Sequence, residues 1–242
     1  MLARVNACAV IGLDGVIVDV EVDITTGIPT PPMIIVGLPD VSVQESKERV
    51  QSAIRNAGLE YPRKRVRVNL APATVRKEGS AYDLPIALGV LIANRQLPPL
   101  CLKDSLVMGE ISLDGSVRHI RGVLPMAAVA RREGFKRVFV PAEDAPEATI
   151  FPDLEVIPVS SLAELFSHLT GAHLIPSQPQ LEIEQVAAQV QTDFRDIKGQ
   201  EHVKRALEVA AAGGHNLLMI GPPGAGKTLM ARALPAILPN LS

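Results

Sequence analysis

The chain has 242 residues, a formal net charge of -2, 47% hydrophobic residues and 3% aromatic ones. That length allows one large or two ordinary domains, and the balanced charge with ample apolar content excludes a disordered chain or a strongly basic nucleic-acid coat. Cys8 and Cys101 lie far apart with no Cys or His at metal-ligand spacing, so both read as free thiols in a reducing compartment.

The start, Met1-Leu-Ala-Arg4, is followed by Asn6, Gly12 and Asp14 and lacks the apolar core of a signal peptide. The longest apolar segment, 84–93, is about half the roughly 20 residues that a membrane span needs. Cytoplasmic residence without a membrane partner is the resulting expectation.

In chain order, Asp14-Gly15 reads as a hairpin turn, and Val16, Val18, Val20 and Val22 then alternate with Asp19, Glu21 and Asp23 at strand period. Residues 29–32 are a proline-rich loop before a short strand at 33–38. Ser42-x-x-Glu45 fits a capping box; Val43, Val50, Ile54 and Ala57 share a helix face, and Gly58 is placed to stop it. Residues 65–70 alternate again, with Val66, Val68 and Leu70 inward. Arg63, Lys64, Arg65 and Arg67 form a basic patch that could touch a nucleic-acid backbone, but without aromatic interleaving it reads as solvated outer-face charge.

Residues 83–94 are apolar nearly all round, which predicts a helix buried on several sides. A strand at 106–111, a turn at Asp114-Gly115 and a strand at 117–120 form a second hairpin signal. A helix at about 124–133 ends at Gly134, a strand follows at 136–140, and a Ser-capped helix spans 161–169 with Gly171 beyond it. Composition shifts to Pro, Ser and Gln over 172–180, as in a linker. A polar helical stretch at 181–191 leads to 193–200 and an amphipathic helix at 201–212. The expected organisation is a front α/β domain over 1–172, a linker over 173–190, and a nucleotide-binding module over 191–242.

That module carries Gly221, Pro222, Pro223, Gly224, Ala225, Gly226, Lys227 and Thr228, a GxxxxGK[ST] phosphate loop. An apolar strand-like run at 215–220 precedes it and a helix at 229–237 follows, the context in which backbone N–H groups and a helix N-terminus cradle phosphate oxygens. Taken as a bare turn, the loop would leave Lys227 a solvated surface lysine; the strand–loop–helix order speaks against that. Lys227 is expected at the β- and γ-phosphates of ATP, and the Thr228 hydroxyl at a bound Mg2+. A hydrolytic site also needs an acidic residue on a later strand. The fourteen residues 229–242 contain no Asp or Glu. The expectation for this chain is therefore an incomplete site, lacking the Walker B and arginine-finger regions, that binds ATP weakly and turns it over negligibly.

Gly12-Leu-Asp-Gly15, Ile35-Val-Gly-Leu-Pro-Asp40, Asn69-Leu-Ala-Pro-Ala73, Lys77-Glu-Gly-Ser-Ala-Tyr-Asp-Leu-Pro-Ile-Ala-Leu88 and Asp196-Ile-Lys-Gly-Gln200, combined with the phosphate loop, are narrower than any one of them. Together they resemble the magnesium-chelatase-like AAA+ ATPases of the ComM/YifB type across essentially the whole chain. The resemblance implies an α+β Lon-protease-like domain followed by the start of a P-loop AAA+ domain, hence an α/β protein. It also implies a hexameric, ATP-driven motor on branched DNA, acting in recombination and natural transformation. By the same resemblance Ile197 and Gly199 are candidates for adenine contact, while Ile197 equally suits the core beneath the first helix.

Two other readings compete. A metal-chelatase motor subunit is expected to resemble this chain only from the phosphate-loop module onward. A Lon-type peptidase needs a serine and a lysine, and the corresponding positions are Ala81 and Leu124; Ser80 reads instead as the cap of a helix at 81–94, even with Lys77 nearby as a possible base. The front domain then reads as a binding or scaffold module without peptidase activity. His119, His168, His173, His202 and His215 are scattered without metal-site spacing and are expected at the surface or core edge.

Overall fold

A computed structural model describes residues 2–25, 33–181 and 192–238. The loop expected at 29–32 and, apart from Leu181, the helical stretch expected at 181–191 lie outside them. The chain divides into two compact units, 1–181 and 182–242.

In the first unit β1 (Leu2–Ile11), β2 (Asp14–Thr25), β3 (Met33–Val36), α1 (Val41–Asn56), β4 (Arg65–Ala71) and α2 (Asp83–Ala93) are followed by β5 (Ser105–Val107), β6 (Glu110–Ile111) and β7 (Val117–Arg118). Then come α3 (Val123–Arg132), β8 (Arg137–Pro141), α4 (Ala145–Ala148), β9 (Glu155–Val159) and α5 (Leu162–Leu169). Seven strands form one sheet in the order β3-β4-β2-β1-β5-β8-β9, and β6 pairs with β7 apart from it. Within the large sheet β2 runs antiparallel to both β1 and β4; the other neighbours are parallel.

The two halves of the sheet explain two sequence patterns. On β2 and β4, Val18, Val20, Val22, Val66, Val68 and Leu70 are buried, while Glu21 meets Arg4 at 3.0 Å and Asn69 at 2.9 Å on the outer face. One wetted face gives clean alternation. On β5 and β8 the alternate residues enter different cores: Val107 and Phe139 pack toward α2 and α5, Leu106, Val138 and Val140 toward α3 and α4. Burial on both faces gives continuous apolar runs.

Several boundaries differ from the sequence reading. The first hairpin turns at Gly12-Leu13, because Ile11 pairs with Asp14 and the positive φ of 65° falls on Gly12. Gly15 lies inside β2, where a Cβ would come within 2.6 Å of Val129 and 2.9 Å of Cys8 Sγ; the glycine admits α3 and does not make the turn. Asp40, not Ser42, caps α1, its carboxylate accepting from Val43 N at 2.8 Å. Gly58 follows the end of α1 with φ of 74°, and Ser161 caps α5 as read.

Residues 106–111 divide between β5 of the large sheet and β6 of the small hairpin, while α4 and β9 are elements that the sequence did not announce. Residues 172–181 carry no regular structure but are tied to the first unit. Ile175 N donates to His168 Nδ1, Gln178 N to Val156 O and Leu181 N to Thr149 Oγ1.

The second unit holds a 3-10 turn (Phe194–Asp196), α6 (Glu201–Gly213), α7 (Lys227–Ala233) and a second 3-10 turn (Leu234–Ile237). Residues 215–220, expected as a strand, form none. A strand exists through its ladder partner, and none pairs with them among the described residues. Leu218 and Ile220 are accordingly exposed. The following helix begins at Lys227, two residues earlier than read, and tightens into the 3-10 turn around Pro235, which has no N–H to donate.

Candidate functional site

In the second unit, residues 221–226 form the phosphate loop and α7 opens directly from it at Lys227. Gly224 and Gly226 adopt φ of 79° and 80°, a backbone that side-chain-bearing residues reach at a cost. Nothing lies within 4 Å of a Cβ built at either; backbone conformation, not space, demands glycine there. Lys227 Nζ donates to the carbonyls of Gly221 and Pro222, each at 2.8 Å, and so curls the loop around its own ammonium group. Gly221, Pro222, Pro223 and Gly224 are exposed, Ala225, Gly226 and Lys227 half-buried, and Thr228 is exposed at the first turn of α7.

Beside the loop lies a cavity of about 400 Å³, lined by Gln200, His202, Val203 and Ala206 at the start of α6 and by residues 217–222, Ala225, Lys227 and Met230. The loop and α6 are thus brought together as the sequence order suggests. Gln200 and His202, which the sequence did not single out, line this cavity, with Gln200 at a positive φ just before α6. Ile197 is buried with Leu207, Met230 and Ala233, and neither it nor the exposed Gly199 lines the cavity.

The loop's backbone, an ammonium group on two carbonyls that phosphate oxygens could replace, and a hydroxyl one residue on form a donor set that fits a nucleoside triphosphate. The Thr228 hydroxyl would supply one oxygen ligand to Mg2+, an ion that usually takes the rest of its shell from phosphates and water. No cluster of three His, Cys, Asp or Glu suited to a metal occurs among the described residues.

In the first unit, Ala81 lines a cavity of about 310 Å³, and Leu124 donates its N–H to Glu147 at 3.1 Å. Ser80 does not cap α2: the helix follows Tyr82 without a side-chain cap, and the Ser80 hydroxyl donates to Glu110. Lys77 is fully buried, its ammonium group donating to Pro72 O, and burial lowers its pKa. His119 meets Asp144 through Nδ1 at 2.5 Å, a contact across 25 residues that no local spacing could announce. No helix among the described residues is long and apolar enough to cross a membrane.

Comparison with known proteins narrows the class. A family model described as subunit ChlI of Mg-chelatase matches residues 20–144, and one described as magnesium chelatase, subunit ChlI, matches 193–242. An uncharacterised protein of Mycobacterium tuberculosis (strain H37Rv) is 43% identical over 241 residues, covering 100% of this chain and 47% of its own length. Competence protein ComM of Haemophilus influenzae is 38% identical over 244 residues with the same two coverages. Lon protease of Rhizobium meliloti is 29% identical over 135 residues, 52% of this chain and 16% of that protein.

Fold and similarity together define a mixed α/β protein of AAA+ type with a Lon-like front unit. The chain belongs to the magnesium-chelatase ChlI family, within which it is of the ComM/YifB type. It spans about half the length of the curated relatives it matches, at 47%. The match over 20–144 corrects the expectation that likeness to chelatase subunits begins only at the phosphate-loop module.

Proposed function

We propose that residues 221–228 bind Mg-ATP, and that the chain is the ATP-binding N-terminal portion of a hexameric motor acting on branched DNA in recombination and natural transformation. What supports the nucleotide reading most is the pair of bonds from Lys227 Nζ to Gly221 and Pro222. They hold the ammonium group over the loop's concave side, where it is free to exchange carbonyl oxygens for β- and γ-phosphate oxygens. Main-chain N–H groups at the start of α7 would take further phosphate oxygens, and Thr228 would hold the metal. Ile197 and Gly199 approach the base in this reading.

The DNA half is supported by a whole-chain relative that is named a competence protein. A second reading, a motor subunit of a metal chelatase, is supported by the description of both family models. Both use ATP and differ in what stimulates it. Steady-state ATP turnover of a longer relative, with and without a four-way DNA junction, separates them: stimulation by the junction supports the DNA motor, and indifference to it sinks that reading.

A further inference from the structure

The cavity of the first unit has a lining that nothing above uses. It is lined by Ser80, Tyr82, Glu110, His119 and Arg121 together with the apolar Val10, Ile120 and Met126. Its polar groups are held in place. Glu110 takes the Ser80 hydroxyl, while Asp144 accepts from Ile120 N at 3.0 Å and holds the His119 ring. Glu143 accepts from His119 N at 2.6 Å, which pins the same loop.

Two groups are left unmet. Arg121 is exposed and has no ion pair among the described residues. Tyr82 is 1% exposed, and its hydroxyl has no hydrogen-bond partner among the described residues. Burial raises its pKa, and Cys8, Asp40 and Glu78 push the same way, which keeps the phenol protonated. Because Tyr82 lines the cavity and its hydroxyl is not among the buried atoms sealed off without a partner, it is open to a ligand there. A single water would answer the phenol, but it would leave the guanidinium and the apolar lining residues unused, and about 310 Å³ is within the range of small-ligand sites.

We propose that this cavity binds an α-carboxylate whose neighbouring nitrogen bears hydrogen and whose side chain is apolar, the chemistry shared by a free apolar amino acid and the C-terminal residue of a peptide. The carboxylate pairs with Arg121 and His119, the N–H donates to Glu110, the side chain packs on Val10, Ile120 and Met126, and Tyr82 supplies a further hydrogen bond. A lining that carries both signs of charge selects such a ligand over a simple anion or cation.

The test is an NMR titration of the whole chain with L-leucine, the dipeptide Ala-Leu and leucinamide, following residues of the cavity wall. Saturable binding with a Kd of about 1 mM or tighter is expected for leucine or Ala-Leu, and at least about tenfold weaker binding for leucinamide. Arg121→Ala, an exposed position, should erase that preference with the fold intact by circular dichroism, and Tyr82→Phe should weaken binding about fivefold. Tighter binding of leucine assigns a free amino acid, and tighter binding of Ala-Leu a peptide C-terminus. No saturation by either up to about 10 mM, equal affinity for leucinamide, or indifference to Arg121→Ala overturns the proposal.

Discussion

Gly37 sits where a side chain would strike the neighbouring strand: a Cβ built there falls 2.2 Å from Leu70 O, and φ is 103°. Both space and backbone require glycine, so Gly37→Ala should destabilise the fold by about 1–3 kcal/mol, read as a lower urea midpoint at unchanged m-value. Asp40, three residues on, caps α1 and also accepts from Gly79 N at 3.1 Å. These contacts give physical content to the stretch Ile35–Asp40 that carried the family resemblance.

His119 makes the other residue-scale prediction. Its hydrogen bond to Asp144, and the charge of that carboxylate, raise its pKa above 6.5. The contribution to stability is therefore fully present below pH 6.5 and lost as pH rises through the folded-state value. An NMR titration should place its midpoint above 6.5 and bring it back toward that value in Asp144→Asn; an unshifted midpoint in the native chain would refute the pairing. Single residues were the hardest part to read from sequence. Asp14-Gly15 looked like a turn because turn chemistry is local, whereas the actual task of Gly15, admitting Val129, is set by a helix more than a hundred residues later.

At the scale of elements, α1, α2 and β6 are joined through one carboxylate. Asp83, fully buried at the start of α2, accepts from Arg49 Nε at 2.7 Å, from the Ser46 hydroxyl and from Ile111 N at 3.3 Å. Removing one partner of a buried pair strands the other, so Asp83→Ala should cost roughly 3–5 kcal/mol, and Arg49→Met in the same chain should recover part of it. A double-mutant cycle in urea measures this; additive losses would mean that the pair is not coupled.

The alternating strands β2 and β4 and the all-round apolar α2 were legible because burial on one face or on every face leaves a period in the sequence. By contrast β9 was hidden by Pro158, which reads as a strand breaker but lies on the sheet's last strand, where an edge tolerates a missing donor. Residues 215–220 failed in the opposite sense. Their composition is that of a strand, yet composition without a pairing partner makes no ladder.

For the molecule as a whole, two units carry two different kinds of site. The phosphate loop was read from spacing alone, since its glycines, Lys227 and Thr228 act through a backbone that the motif itself dictates. The front cavity was not, because Ser80, Glu110, His119 and Asp144 come from four separate segments and meet only once the sheet is built.

Nucleotide binding at the loop is the claim on which the functional reading rests, and fluorescent ATP with Mg2+ tests it on this chain directly. Saturable binding, weak but at least about tenfold stronger than in Lys227→Ala, is the expected result, because replacing the lysine removes the charge that the loop holds for the phosphates. Equal affinity in the two chains, or no saturable binding in the unaltered one, would contradict it.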